Sequence, residues 1–414
     1  MKNKRTPDIR FPEFTGDWEE RKLSELMEFS NGINAPKENY GKGRKMISVM
    51  DILADEPIVY RNIRNSVQVD DKTESKNKVE NGDLVFVRSS EIPDEVGWAK
   101  AYRQEEYALY SGFSIRGKKK SDFDAKFIEL SLNNSNREQI ERKAGGSTRF
   151  NVSQSILKSI EILEPSIEEQ IEIGNFFERL DETIALHQQE LTILKQTKQG
   201  FLQKMFPKEG ESVPEIRFPG FSGNWEERKL KDIVTLLKDG THGTHKEGKD
   251  AFLLSAKNIK NGQIIINELT DRKISSDDYN SIFKNYKLMD QDLLITIVGT
   301  IGQTALYTET TSKLAFQRSV AIIRGTKDMN QNFLKSTVNS NYVQKQLKQS
   351  ASMSAQAGVY LGDLEKLKIN TPELSEQVKI GNFFKKLDDT ITLHQSELDA
   401  LKEMKKAFLQ KMFA

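Results

Sequence analysis

Residues 173–206 read IGNFFERLDETIALHQQELTILKQTKQGFLQKMF, and residues 380–413 read IGNFFKKLDDTITLHQSELDALKEMKKAFLQKMF. The two stretches agree at 23 of 34 positions and lie 207 positions apart, half of the 414-residue chain. A second pair has the same separation: residues 7–23 match residues 214–230 at 13 of 17 positions. The chain is therefore a tandem duplication of one unit, in which a short tryptophan-containing box precedes a variable body and a final helix.

Each of the long blocks predicts one amphipathic helix. Its apolar residues recur at alternating steps of four and three, which keeps one edge of a helix facing a partner helix. Pro165 and Pro372 precede the blocks, where a first helical turn tolerates proline, and Ser166 with Glu169 has capping-box spacing. The residues predicted to pack along this seam are Ile173, Phe177, Leu180, Ile184, His187, Leu191 and Leu194 in the first copy, and Ile380, Phe384, Leu387, Ile391, His394, Leu398 and Leu401 in the second.

The simplest arrangement is that the two helices pack on each other over roughly 50 Å. The alternative is that each is a core helix lying on its own body. Gly174 and Gly381 each cost helix stability, about 1 kcal/mol, so close approach of another element near that end would explain them.

The bodies between box and helix predict a mixed α/β fold. Candidate strands recur in the same order in both copies, and each series is followed by a helical segment and a last apolar stretch. The strands are predicted around residues 46–49, 83–87 and 113–116 in the first copy and around residues 252–255, 292–297 and 320–324 in the second. The residues between these elements differ, which favours two similar modules that recognise different things; drift of ordinary surface loops is the alternative.

The composition limits the classes of function. Hydrophobic residues make up 36% and charged residues 30% of the chain, as in soluble globular proteins. No apolar run approaches the roughly 18 residues of a membrane span, so a cytoplasmic location is expected. The chain has no cysteine, which excludes disulfides, Cys-ligated zinc, iron–sulfur clusters and a thiol nucleophile. The net charge of +1 neither favours nor excludes a nucleic-acid partner.

Motifs for catalysis or cofactor binding are incomplete. Residues 243–249 fit G-x-x-x-x-G-K, but Asp250 stands where a hydroxyl would hold magnesium, and the AFLLS that follows indicates a strand instead of the required helix. Two histidines in the same turn have no evident third metal ligand. Glu74 and Lys76 have a spacing common in nucleases but no convincing upstream acid. The chain is therefore expected to be non-catalytic and to bind no metal.

The ordered set of boxes and helical blocks resembles the specificity (S) subunit of type I restriction–modification systems. The matching features are the boxes around Trp18 and Trp225, the IGNFF…LD…I…H…EL blocks, and the P-x-x-x-E-Q helix start at residues 165–170 and 372–377. The resemblance covers both copies. It implies an α+β fold: a tandem duplication of a mixed α/β target-recognition domain plus a long helix, with the two helices packing as an antiparallel coiled coil.

The resemblance also implies a function and partners. Each recognition domain would read one half of a bipartite, asymmetric DNA site. Two methyltransferase subunits would bring S-adenosylmethionine and methylate adenine, and motor–nuclease subunits using ATP and magnesium would cut unmodified double-stranded DNA, whereas this chain would bind no cofactor. The expected divisions are target-recognition domain 1 at residues 1–163, spacer helix 1 at 164–206, target-recognition domain 2 at 207–370 and spacer helix 2 at 371–414.

Direct base readout requires polar side chains on loops that can enter the major groove. The residues predicted to contact DNA are Arg88, Ser89, Ser90, Ser147, Thr148, Arg149 and Asn151 in the first body, and Thr241, His242, Thr244, His245, Thr300, Gln303, Ser352, Ser354, Gln356 and Tyr360 in the second. For any one of them, an ordinary solvated loop is the alternative. For the whole chain, the alternatives are a coiled-coil scaffold without DNA recognition and an enzyme, either a nuclease using Glu74 and Lys76 with a divalent metal or a fused methyltransferase.

Overall fold

The computed structural model describes residues 6–309, 312–352 and 358–413. Contacts between residues divide the chain into two compact units: unit 1 is Met1–His187 together with Glu397–Ala414, and unit 2 is Gln188–Ser396. Each unit therefore contains one body and a stretch of both long helices. The units divide the chain inside the helices, whereas the sequence analysis placed the divisions where each helix begins and ends.

The body of unit 1 consists of short elements that lead into a 38-residue helix. In chain order they are β1 (Glu19–Lys22), α1 (Leu23–Leu26), β2 (Met27–Asn31), β3 (Tyr40–Ile47), α2 (Val49–Ile52), β4 (Asn65–Val67), α3 (Asp71–Lys76), β5 (Leu84–Val87), β6 (Ser89–Ser90), β7 (Ala99–Ala101), β8 (Leu109–Tyr110), β9 (Ser114–Lys119), α4 (Ala125–Asn133), α5 (Arg137–Lys143), β10 (Phe150–Asn151), α6 (Gln154–Lys158), β11 (Glu161–Glu164) and the long helix α7 (Ile167–Lys204).

The body of unit 2 has a similar order and leads into a second 38-residue helix. Its elements are β12 (Glu226–Lys229), β13 (Val234–Asp239), β14 (Glu247–Leu254), β15 (Ile259–Lys260), β16 (Gln263–Ile264), β17 (Lys273–Ile274), α8 (Ser276–Ile282), β18 (Leu293–Thr296), β19 (Thr304–Leu306), β20 (Lys313–Phe316), β21 (Val320–Gly325), α9 (Gln331–Val338), α10 (Asn341–Ser352), α11 (Leu361–Glu365), β22 (Lys368–Thr371) and the long helix α12 (Leu374–Lys411).

The same sheets occur in both bodies. The larger antiparallel sheet has the order β2–β9–β5–β7 in unit 1 and β13–β21–β18–β19 in unit 2. A smaller sheet has the order β4–β3–β8 or β17–β14–β20, and its second and third strands are parallel. An antiparallel ladder, β1–β11 or β12–β22, joins the box to the strand before the long helix. These elements confirm the predicted tandem α+β architecture.

The long helices pack antiparallel inside each unit, as predicted. In unit 1, Phe176 near the start of α7 meets Phe408 near the end of α12, with ring centroids 5.1 Å apart. In unit 2, the equivalent Phe201 and Phe383 are 5.0 Å apart. Aromatic pairs of this edge-to-face kind stabilise by about 0.5–1.5 kcal/mol beyond their burial.

The residues of the predicted seam pack against two different partners, the body of their own unit and the other long helix. Its first turns pack on the body of their own unit, because Ile173, Phe177 and Leu180 join the core of unit 1, and Ile380 and Phe384 join that of unit 2. The core-helix arrangement that the sequence left open is thus present at these ends. Further along, the seam residues that are buried are Leu191 and Leu398, and those that are half-buried are Ile184, His187, Leu194, Leu387, Ile391, His394 and Leu401.

An ion pair with a buried carboxylate ties the repeated box to the start of the long helix. In unit 1, Arg10 Nε and Nη2 donate to the two carboxylate oxygens of Glu169 at 2.7 and 2.6 Å. In unit 2, Arg217 makes the same two bonds to Glu376, both at 2.7 Å. The Glu169 carboxylate therefore binds the box arginine and does not close the predicted capping box, although its backbone N–H donates to Ser166 Oγ at 3.4 Å.

The glutamine that follows each of these glutamates fixes a third element. Gln170 Nε2 donates to the Pro165 carbonyl, and its Oε1 accepts from the Asp124 backbone N–H just before α4. Gln377 makes the equivalent bonds to the Pro372 carbonyl and to the backbone N–H of Asn330, just before α9. The P-x-x-x-E-Q pattern thus holds the box, the body helix and the long helix together.

Gly174 and Gly381 occupy the point where the body helix meets the long helix. A Cβ built on Gly381 would lie 2.4 Å from Asn330 Oδ1 and 2.8 Å from the Phe333 nitrogen. One built on Gly174 would lie 2.4 Å from Asp124 Oδ1. Since Asp124 and Asn330 are the N-cap residues of α4 and α9, a side chain at either glycine would displace a helix cap.

Gly381→Ala is expected to destabilise unit 2 by about 1–3 kcal/mol through overpacking, although alanine is the better helix former by about 1 kcal/mol. The matched control is Gly200→Ala, where nothing lies within 4 Å of the new Cβ and where the other copy has Ala407. The control should stabilise by up to about 1 kcal/mol. Urea denaturation measures both, and stabilisation by the two variants alike would contradict the close approach.

Candidate nucleic-acid interface

One edge of the larger sheet in unit 1 carries the predicted DNA-contacting loops. At this edge Asn31 of β2 pairs with Ile115, and Val87 of β5 pairs with Ser114, so both strands end where β9 begins. The chain continues from β5 into β6, which pairs antiparallel with β10. Two loops that are about 60 residues apart in sequence, residues 88–90 and 147–151, are therefore brought together in a short two-stranded ribbon.

Several polar side chains of this ribbon bind one another. Ser89 Oγ donates to Asn151 Oδ1 at 2.5 Å, and Ser90 Oγ donates to Glu95 Oε2 at 2.6 Å. Arg88 Nη1 donates to the carbonyl of Gly112 at 3.3 Å. These contacts shape the ribbon, and a DNA base would have to compete with them.

The exposed face of the ribbon presents an arginine beside an aromatic ring. The Arg149 guanidinium lies 5.7 Å from the centroid of the Phe113 ring. Phe113 is 55% exposed, and Ser147 and Thr148 next to Arg149 are also exposed. Arginine, hydroxyl and aromatic groups together offer hydrogen bonds to base edges and apolar contact with a thymine methyl. Phe113 was missed as a site residue because it was assigned to the strand that starts at Ser114.

Unit 2 has the equivalent edge with different residues. Asp239 of β13 pairs with Ala321, and Thr296 of β18 pairs with Val320, so these strands also end where their shared neighbour begins. Val298 pairs with Gly358, in the place of the β6–β10 ribbon of unit 1. The chain segments around Thr300 and Tyr360 are thus brought together, and both side chains are exposed.

The turn at residues 241–245 joins the same edge of unit 2. The Thr241 carbonyl accepts from the backbone N–H of Arg318, and the Ile297 N–H donates to the Ser319 carbonyl. The turn before β21 therefore lies between the two predicted loops. Arg318 in this turn is exposed and was not predicted from the sequence. The equivalent turn of unit 1, which contains Phe113, is the signal that could have pointed to it.

The remaining predicted residues of unit 2 fall in different places. His242 Nε2 lies 2.5 Å from Asp239 Oδ2, and His245 Nε2 lies 2.9 Å from Thr241 Oγ1; Thr244 is exposed in the same turn. Gln303 begins the return to β19 and lines a cavity next to α7. Ser352 ends α10, where its hydroxyl donates to the Gln349 carbonyl. Ser354 and Gln356 lie outside the described residues.

The weak catalytic motifs take structural roles. Glu74 Oε1 accepts from the Tyr107 hydroxyl at 2.8 Å and lies 3.4 Å from Arg44 Nε. This network raises the pKa of Arg44, chiefly through its hydrogen bond to Tyr60. The G-x-x-x-x-G-K stretch runs into β14, a strand, as its sequence predicted. Within residues 6–309, 312–352 and 358–413, no helix is both long enough and apolar enough to cross a membrane.

Comparison with known proteins identifies relatives for both copies. The family described as "Type I restriction modification DNA specificity domain" matches residues 15–196 and again residues 222–403. A protein of Methanocaldococcus jannaschii named as the type I restriction enzyme MjaX specificity subunit is 23% identical over 412 residues, covering 96% of this chain and 93% of its own length. The EcoBI specificity subunit of Escherichia coli is 29% identical over 162 residues, which cover 38% of this chain and 33% of the relative.

Two solved structures share the fold along the whole chain. The S subunit of a type I restriction–modification system from M. genitalium superposes with a TM-score of 0.65 at 16% identity, covering 99% of both chains. A chain from a structure describing complex assembly and conformational transition of the type I R-M system has a TM-score of 0.54 at 15% identity, covering 96% of this chain and 97% of that one.

Proposed function

This chain belongs to the type I restriction modification DNA specificity family, and we propose that it is a non-catalytic specificity subunit whose two units each read one half of a bipartite, asymmetric DNA site. In this proposal the chain recognises the DNA sequence, and partner subunits methylate adenine or cleave DNA. Family membership supports a role in DNA specificity, and we infer the division of the site between the two units from the duplication.

One observation carries the proposal: the two units share the contacts that join box, body helix and long helix (the frame), but they differ in the side chains at the sheet edge. The ion pair, the glutamine bonds and the helix glycine are the same in both units, so the two edges are built on one frame. The side chains at those edges differ, with Phe113 and Arg149 in unit 1 against Arg318 and Tyr360 in unit 2. Because direct readout depends on which donors and apolar groups face the bases, one frame with two sets of side chains suits two different half-sites.

The proposed partners are those that membership of this family implies. We propose two methyltransferase subunits that carry S-adenosylmethionine, and motor–nuclease subunits that use ATP and magnesium. This chain is proposed to bind none of these cofactors, since its candidate phosphate loop runs into a strand instead of a helix and its nuclease-like Glu74 accepts a hydrogen bond from Tyr107.

Mapping of methylated adenines tests this function. The chain would be co-expressed with the methyltransferase subunit of its own system in a host without other adenine methylation, and methylated adenines would be located by single-molecule sequencing. We expect one split motif with a modified adenine in each half. No new methylation, with the complex intact and the methyltransferase active beside another specificity subunit, would exclude the proposal and favour a scaffold.

A further inference from the structure

A groove in unit 2 lies between the end of α7 and the body. It encloses about 300 Å³. Its lining includes Lys195 and Lys198 of α7, Asn341 and Lys348 of α10, and Gln303. Lys198 pairs with Asp388 at 2.5 Å, whereas no carboxylate of the described residues lies within ion-pair distance of Lys195 or Lys348.

Unit 1 has a groove at the equivalent position. It encloses about 560 Å³, and its lining includes Lys402, Lys405 and Lys406 of α12 and Asn134 at the end of α4. Lys405 pairs with Asp181 at 2.5 Å. Among the residues that the structure describes, Lys402 and Lys406 have no carboxylate at ion-pair distance.

The two grooves share two lysines of the long helices. Lys402 and Lys405 lie 207 positions from Lys195 and Lys198, so the same two side chains line both grooves, whereas Lys406 stands where the other copy has Gln199. The sheet edges differ between the units, but Lys195 and Lys198 are identical to Lys402 and Lys405. Identical residues suit a ligand feature that is the same at both half-sites, and the phosphate backbone is the part of DNA that does not depend on sequence.

The chemistry of the lining agrees with a phosphate ligand. Both linings combine lysine ammonium groups with side-chain amides and contain no carboxylate. Lysine binds phosphate as a point charge, and amide N–H groups are common donors to backbone phosphates. In unit 2 one lining residue, Gln303, belongs to the same turn between β18 and β19 as Thr300.

We propose that each groove holds backbone phosphates that flank the half-site read by its unit. This inference rests on the proposed function and adds to it a sequence-independent clamp. Lys195 and its repeated counterpart Lys402 would neutralise phosphates in both units, Lys348 and Lys406 would each add a charge in one unit, and the paired Lys198 and Lys405 would hold the groove wall.

The test measures the salt dependence of DNA binding by the full chain assembled with its methyltransferase partner. The variants are Lys195→Gln/Lys348→Gln and Lys402→Gln/Lys406→Gln. The matched control is Lys366→Gln/Lys386→Gln, which removes two exposed lysines outside the grooves. Each lost phosphate contact lowers the slope of log K against log salt by about 0.9, so each groove variant should lose roughly 2 in slope, and the control should lose none.

A second measurement identifies the phosphates. Uncharged methylphosphonates placed beside one half-site should reduce the slope of log K against log salt for the unaltered protein. The variant of the groove at that half-site should show no further reduction in slope on the same DNA. The methylated motif should stay the same for all variants. If both groove variants bind specifically with the same salt slope as the unaltered protein, the phosphate inference is wrong and the proposed function stands. The same holds if the variants assemble more weakly with the methyltransferase in the absence of DNA while the salt slope is unchanged. If the unaltered complex shows no sequence-specific binding, the proposed function fails and the inference with it.

Discussion

Replacing Arg217 with alanine is expected to lower the free energy of unfolding of unit 2 by about 3–5 kcal/mol, because it leaves a buried carboxylate without its partner. Glu376 is fully buried, and Arg217 is the guanidinium that binds both of its oxygens. Arg217 Nη1 also donates to the Gly223 carbonyl at 2.7 Å. The substitution therefore removes the bond between box and long helix and the closure of the box itself.

Fluorescence can report this loss in unit 2 alone. Trp225 is buried in the core of that unit, so urea denaturation would be followed in a background where Trp18 and Trp98 of unit 1 are phenylalanine. The control is Lys345→Ala, which breaks an exposed ion pair with Glu209 and should cost no more than about 1 kcal/mol.

Two further variants sharpen the result. The double variant Arg217→Ala/Glu376→Ala should lose less than the sum of the single losses, because the two side chains act as one unit. Arg10→Ala should affect unit 1 in the same way. A loss below about 1 kcal/mol for Arg217→Ala would contradict the view that the repeated box is a clamp on the helix.

The second large effect is expected at the sheet edge of unit 1. Arg149→Ala should reduce adenine methylation of the wild-type motif by about tenfold to a hundredfold, since one good base contact contributes about 1–3 kcal/mol of discrimination. The loss should appear as relaxed sequence preference in one half of the motif only. Methylation kinetics on DNA substrates altered in either half would measure it.

A control separates base reading from loss of charge. Arg61→Ala removes the same charge from the exposed 3-10 turn at Tyr60–Asn62, outside the ribbon, and should leave the sequence preference unchanged. Equal relaxation in both halves for Arg149→Ala, or none, would show that Arg149 does not read bases in this half-site.

Much of the frame could be predicted because its sequence occurs in both copies. The duplication placed both long helices, and it marked Gly174 and Gly381 as points of close approach. The strands predicted at residues 83–87 and 292–297 are β5 and β18 within a residue or two. Local apolar patterns and helix signals carry this information.

Contacts between distant residues could not be predicted from local patterns. Arg10 and Glu169 are 159 residues apart, as are Arg217 and Glu376, and the spacing of Ser166 and Glu169 pointed to a local capping box instead. The signal for this ion pair in the sequence was that the arginine and the glutamate have the same separation in both copies. Two residues that keep their separation in a duplicated unit can make the same contact in each copy.

The candidate site depends on the same kind of contact. The sequence proposed the loops at residues 88–90 and 147–151 separately, and only the pairing of β6 with β10 shows that they form one surface. Phe113 and Arg318 join these surfaces through turns that a pattern of apolar residues does not distinguish from strand ends. The lysine grooves require the position of the long helix against the body, which follows from the tertiary fold.

The central claim, that each unit reads one half of the DNA site, is tested most directly by exchanging one body. The exchange would replace residues 24–160 with the corresponding residues of a family member that has a different motif, which keeps the β1–β11 ladder intact. Methylated adenines would then be mapped across the genome with the same methyltransferase partner. The account predicts that one half of the motif changes and the other half stays as it was. A change in both halves, or an unchanged motif in an active complex, would contradict it.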